Sequence, residues 1–228
     1  PKTTTTLGRE GSDFSAAIFA NCLEIEELTI WKDVDGLRNA DPKRFKTTEK
    51  IEHLSYFEAI ELAFYGASII HPKTLKPLQN KNIPLKVRSF LDTSLEPSVI
   101  DGTKDYIKYV PSYIVKERQT LMSITPKDYS FMNEHNRALI FNIMDELNIH
   151  ANMTQISALV LSICFDENEK KRIMLTDALS QAFKVKYNDG LKLFTIRHYQ
   201  EGLEKDFIED KKIYVEQRSR STYQIVLE

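Results

Sequence analysis

The stretch Thr3-Thr4-Thr5-Thr6-Leu7-Gly8-Arg9-Glu10-Gly11-Ser12-Asp13-Phe14 places strong limits on the fold. A β-favouring threonine run stops at a glycine-containing turn, and Ser12-Asp13 then opens a helix of small residues. Strand, turn and helix start in so short a span predict an anion-binding corner. The first N–H groups of a helix have no partner inside it, and the positive end of its dipole lies there. Arg9 adds a planar fork that matches a carboxylate or a phosphate.

The rest of the first half alternates strand and helix. Leu28-Thr29-Ile30-Trp31 reads as a buried strand, followed by the polar loop Lys32-Asp33-Val34-Asp35-Gly36. Ser55-Tyr56-Phe57-Glu58 is a capping box, so a helix is predicted from there to Phe64 or Tyr65, ending at Gly66. Ser68-Ile69-Ile70 reads as a short strand. His71-Pro72 starts another helix with Pro in its first turn, and 83–90 alternates as a strand. The turn-rich text from 92 to 111 reads as a passage between domains, which are predicted at 1–105 and 106–228.

The second half has a different rhythm. A strand at 120–124, a helix at 138–147, a hairpin at 151–154 and 159–165, a helix at 173–183 and a strand at 183–187 give the order βαββαβ of a ferredoxin-like unit. That unit is assigned to 112–188. The remainder, 189–228, offers only strands, at 191–197, 212–216 and 222–227, and no final helix. The last is expected to be an edge strand that invites association.

Composition excludes several classes. A net charge of -2 gives no electrostatic case for nucleic acid or an anionic membrane. No apolar run approaches the roughly 20 residues that cross a bilayer, and the first residues lack a signal-peptide pattern. The two cysteines, Cys22 and Cys164, have neither disulfide-framework nor zinc spacing, which fits a reducing cytoplasm.

Four strings, in order, resemble aspartate kinase of the amino-acid kinase family. They are Thr6 to Asp13, Trp31-Lys32-Asp33-Val34-Asp35-Gly36-Leu37 with Ala40-Asp41-Pro42-Lys43, Glu58 to Ala67 with His71-Pro72-Lys73-Thr74, and Asn82-Ile83-Pro84-Leu85. The second half looks like the regulatory ACT region that follows that kinase domain. The fold implied is α/β: the C-terminal lobe of an amino-acid kinase, then a ferredoxin-like α+β domain with an abbreviated second ACT-like unit. The family's Lys-Phe-Gly-Gly-Thr-Ser segment is absent. The chain therefore resembles the C-terminal portion of a larger enzyme, and is expected to be inactive alone.

The resemblance implies transfer of the ATP γ-phosphoryl, with Mg2+, to the side-chain carboxylate of L-aspartate. It assigns Asp13 as the catalytic-site aspartate and Arg9, Gly11 and Ser12 as substrate contacts. Lys32, Asp33, Arg38, Lys43, Ser68 and Lys73 fall at nucleotide-contacting positions. Lys32 stands where the family has Thr, Arg38 where it often has a base-stacking Tyr, and Ser68 where it often has Lys. Glu10 replaces a glycine. The ACT resemblance implies an amino-acid effector (lysine or threonine) near Asn152, Gln155 and Ser157, and a homodimer through this region. The loop 125–136 lacks the family's glycine before the helix. Two alternatives stay open at this level: another amino-acid kinase, such as an acetylglutamate or glutamate kinase, and a non-catalytic amino-acid-sensing subunit.

Overall fold

A computed structural model describes residues 11–67, 70–103 and 109–228. The predicted threonine strand, Arg9, Glu10, Ser68 and most of the short strand at 68–70 lie outside them. The chain divides into two compact units, Pro1–Ile114 and Val115–Glu228.

In the first unit, α1 (Gly11–Leu23) leads into β1 (Leu28–Lys32). The short strands β2 (Leu37–Arg38) and β3 (Lys50–Ile51) pair antiparallel as a separate two-stranded sheet, and β4 (His53–Ser55) follows. Helix α2 (Tyr56–Tyr65) starts and stops where its local chemistry dictates. Ser55 Oγ accepts the Glu58 N–H at 3.1 Å, and Gly66 closes the other end in the left-handed region. Helix α3 (Pro72–Lys81) is capped by His71, whose Nδ1 accepts the Lys73 N–H at 3.1 Å. Strands β5 (Leu85–Ser89) and β6 (Ser98–Asp101) complete a sheet ordered β1-β5-β6-β4. Strand β6 was not expected: four residues among turn signals form a strand because Ser98 and Ile100 alternate inward and are fully buried. Alanines 17 and 20 let α1 pack closely, and Asn21 Nδ2 donates to the Pro77 carbonyl of α3 at 2.7 Å.

The predicted βαββαβ order is present in the second unit. It comprises β7 (Ser112–Pro126), α4 (Glu134–Glu146), β8 (Ala151–Ile156), β9 (Leu161–Asp166), α5 (Glu169–Leu179) and β10 (Phe183–Arg197). Helices α4 and α5 begin earlier than expected because Asn133 and Asn168 cap them, each accepting an N–H three residues on. A short helix α6 (Lys205–Ile208), absent from the sequence reading, precedes β11 (Ile213–Arg218) and β12 (Thr222–Leu227). The sheet order is β11-β12-β10-β7-β9-β8.

This order corrects one expectation. Strand 222–227 is not an edge: β12 lies between β10 and β11, and all six of its residues are buried. The edges are β8 and β11. A second correction concerns β10, predicted as two strands but continuous through Asn188-Asp189-Gly190. Alternate residues of the sheet serve two cores. Met122, Ile163 and Phe165 join the α4 and α5 side, while Leu121 and Cys164 join Leu193 and Val226 in a separate cluster.

Candidate active site

The N-terminus of α1 meets the C-terminal end of β1. Asp13 sits in the first helical turn, and Lys32 is the last residue of β1. Lys32 Nζ lies 3.2 Å from Asp13 Oδ2, with the two side chains 26% and 16% exposed. Residues 19 apart in sequence, on two predicted motifs, thus form one charged pair. Ser12 Oγ is 3.4 Å from Asp13 Oδ1, and Gly11 supplies the carbonyl that Ser15 Oγ bonds at 2.7 Å. Ends of parallel strands facing helix N-termini are where α/β folds gather anions.

The loop after β1 is built rigidly. Gly36 has φ +133° and lies so close to β6 that a Cβ there would stand 2.5 Å from Ser98 Oγ. Ser98 Oγ accepts the Leu37 N–H at 2.8 Å and donates to the Ile51 carbonyl at 2.6 Å. Asn39 ties three segments together: its Oδ1 accepts the Glu49 N–H at 2.7 Å, its Nδ2 donates to the Pro111 carbonyl at 3.0 Å, and its carbonyl accepts the Tyr113 N–H at 2.7 Å. Neither Ser98 nor Asn39 was singled out from sequence, because their partners lie far along the chain.

Arg38 is turned into this scaffold. Its Nε and Nη2 grip Asp35 at 3.1 and 2.6 Å, and its Nη1 donates to the Thr48 carbonyl and hydroxyl at 3.1 and 2.8 Å. The Arg38 fork holds the Asp35 carboxyl below the usual range. A guanidinium so engaged shapes the loop, where the resemblance had implied stacking on a base. Asp33 is exposed beyond Lys32, and Lys43 is exposed at the Asp41-Pro42 turn, where its N–H donates to Asp41 Oδ1 at 2.9 Å. Lys73 is exposed in the first turn of α3.

The three residues assigned to an effector sit in different surroundings. Asn152 is committed: it accepts from Lys116 Nζ at 2.7 Å and donates to Gln119 Oε1 at 2.8 Å and Asp166 Oδ1 at 2.9 Å. Burial lowers the Lys116 pKa. Burial works to raise Asp166, but the Gln119 and Asn152 hydrogen bonds outweigh it and hold that carboxyl low. Gln155 is exposed on β8. Ser157 closes the β8–β9 hairpin, its Oγ accepting the Val160 N–H at 3.1 Å. Cys164 is buried beside this network, its thiol pushed up to about 12 by burial, and Cys22 is exposed. Among the described residues no helix is long and apolar enough to cross a membrane, and no three His, Cys, Asp or Glu side chains gather as a metal cage.

Residues 1–89 match the amino acid kinase family. Aspartokinase 3, a chloroplastic protein of Arabidopsis thaliana, is 32% identical over 170 residues, covering 72% of this chain and 30% of the relative. Escherichia coli aspartokinase III in complex with aspartate and ADP has a TM-score of 0.80 at 24% identity, over 98% of this chain and 53% of that one. The same protein in complex with lysine and aspartate gives 0.72 at 24% identity, over 98% and 52%. The chain thus spans about a third of that curated relative's length and about half of the solved structure's. The structural likeness speaks for the fold, and the sequence matches speak for descent. Over most of its length this chain is similar in sequence to the aspartokinases, and its residues 1–89 match the amino acid kinase family.

Proposed function

We propose that the chain is a portion of an aspartate kinase: part of the catalytic domain followed by an ACT-type regulatory region. The whole protein would move the ATP γ-phosphoryl to the side-chain carboxylate of L-aspartate, giving 4-phospho-L-aspartate. That is the first step toward lysine, threonine and methionine. The observation that carries the reading is Asp13 in the first turn of α1 beside Lys32 at the end of β1, inside the segment that matches the family. Phosphoryl transfer needs positioning and charge neutralisation more than covalent chemistry, and this corner supplies both.

Arg9 and Ser12 would hold aspartate, and Asp13 would orient the groups around the transfer. Asp33, Lys43, Ser68 and Lys73 would face the nucleotide, with Arg38 shaping the loop that presents them. Magnesium would arrive on the nucleotide's phosphates, as it commonly does in such sites. An amino-acid effector would bind at the β8 end of the second unit, through Gln155 and the Asn152 network. The two unpaired cysteines favour a reducing compartment such as the cytoplasm.

The test uses the longest natural form of the protein, extended before residue 1. Hydroxylamine traps the acyl phosphate formed from aspartate, ATP and magnesium. Aspartate-dependent hydroxamate that falls by about 100-fold or more in Arg9→Ala supports the reading, since that variant loses a bidentate charged grip. Folded, ATP-binding protein that makes no hydroxamate would point instead to a different acceptor or a sensing subunit.

A further inference from the structure

We infer that Lys32 is a catalytic residue that contacts the γ-phosphoryl in transit, held in place for that task by Asp13. The inference rests on the kinase reading above. The resemblance alone gives Lys32 a general nucleotide contact, and the pairing with Asp13 makes its task specific.

Lys32 Nζ stands 3.2 Å from Asp13 Oδ2, so the ammonium is fixed at the mouth of α1. An ammonium carries three donors. Among the described residues Asp13 is its ion-pair partner, which leaves donors for an anionic ligand. Both side chains keep partial exposure, so a ligand can reach them.

Charge bookkeeping points the same way. A helix N-terminus behaves as roughly half a positive charge. Asp13 alone satisfies that end, and a lysine placed there is a second cation against the same dipole. Lys32 and Asp13 cancel within the pair, which leaves the roughly half positive charge of the helix end, while Asp33 is exposed in the loop beyond. Such a site is completed by an anion, and a phosphoryl group spreading charge over three oxygens is the anion that this reaction brings. The pair also limits the motion of a long, rotamer-rich side chain. Less ordering then remains to be done when the transition state forms. No covalent bond to Lys32 is involved: the bond from γ-phosphorus to the bridging oxygen breaks, and the bond from phosphorus to the carboxylate oxygen forms. Lys32 donates hydrogen bonds to the equatorial oxygens throughout and keeps its protons.

The experiment uses Lys32→Met and Lys32→Arg in the longest natural form, with two readouts. In the hydroxamate assay, Lys32→Met lowers kcat by about 100-fold while the KM for aspartate stays within about threefold, and Lys32→Arg recovers part of the loss. In calorimetry, Lys32→Met weakens the β,γ-imido analogue of ATP at least about tenfold and ADP by less than about threefold, because ADP lacks the γ-group. Preserved kcat, or equal weakening of both nucleotides, overturns the proposal and returns Lys32 to an ordinary contact or a surface ion pair. If unmutated protein forms no hydroxamate, the aspartate reading fails on its own. The analogue-against-ADP comparison then decides the role of Lys32 separately.

Discussion

Gly36 joins two demands that no other residue meets. Its φ of +133° lies where L side chains are strained, and a Cβ would strike Ser98 Oγ at 2.5 Å and Lys50 Cε at 2.9 Å. Lys50 can swing aside, but Ser98 is fully buried and bonded on both sides. Gly36→Ala should therefore cost roughly 1–3 kcal/mol in urea unfolding, and it should disturb the loop that follows Lys32 and carries Asp33. The Asp35–Arg38 pair beside it gives a pH signature. The Asp35 carboxyl is held below its ordinary range by the Arg38 hydrogen bonds, so its contribution to stability is present above about pH 4. It fades as pH falls through the lowered value. The gap in urea midpoint between the unmutated protein and Arg38→Leu should be flat from pH 7 to 5 and shrink below 4. A gap that widens in acid would reject this role. At this scale the sequence was legible where chemistry is local: Ser55, Gly66 and His71-Pro72 cap the helices they were expected to cap. It was not legible where partners are remote. Nothing near Arg38 announces that Thr48 would claim its guanidinium, and nothing near Lys32 announces Asp13.

Among the elements, β10 shows how a turn signal can be overruled. Asn188-Asp189-Gly190 reads as a break, yet the strand runs on because Asp189 and Gly190 find remote partners. Thr120 Oγ1 donates to Asp189 Oδ1 at 2.6 Å, and the Gly190 N–H donates to Glu167 Oε2 at 3.0 Å. Arg172 Nε lies 3.0 Å from Asp189 Oδ2, outside good hydrogen-bond alignment but in ion-pair range, and its guanidinium covers the Tyr187 ring at 4.0 Å. Asp189 thus joins β7, α5 and β10. Asp189→Ala strands a largely buried arginine and a strand hydroxyl. The partial exposure of Asp189 moderates the loss, which should be about 1–2 kcal/mol. Thermal unfolding of Asp189→Ala, Thr120→Val and the double variant checks it: coupled residues make the double loss smaller than the two single losses combined. The missed β6 has the same lesson. Four residues carry too little periodicity to stand out from flanking turns, and only their place beside β5 and β4 makes them a strand.

For the whole molecule, the expected association needs a new physical basis, because the strand first held responsible is buried inside its sheet. The second unit has two edges. Edge β11 carries Glu216 and Arg218 and a register shift between Ile213 and Val215, all of which discourage pairing. Edge β8 reads Ala-Asn-Met-Thr-Gln-Ile, has no charged residue, and leaves Ile156 46% exposed at its end. Its one guard is a register shift near Ala151. If two copies associate through this unit, β8 is the edge that should pair. Association there would also bring Gln155 and Ser157 of both copies close to one seam, where an amino-acid effector could be shared. Light scattering at micromolar concentration should then give twice the chain mass for the unmutated protein. Ile156→Lys, which places a charge at the seam, should shift it toward the single-chain mass while the circular dichroism spectrum stays that of the folded chain. The same substitution at Ile213, on the guarded edge, should leave the mass unchanged. A dimer lost through Ile213→Lys but kept in Ile156→Lys would move the interface to β11. A single-chain mass for the unmutated protein would remove the edge-pairing account altogether.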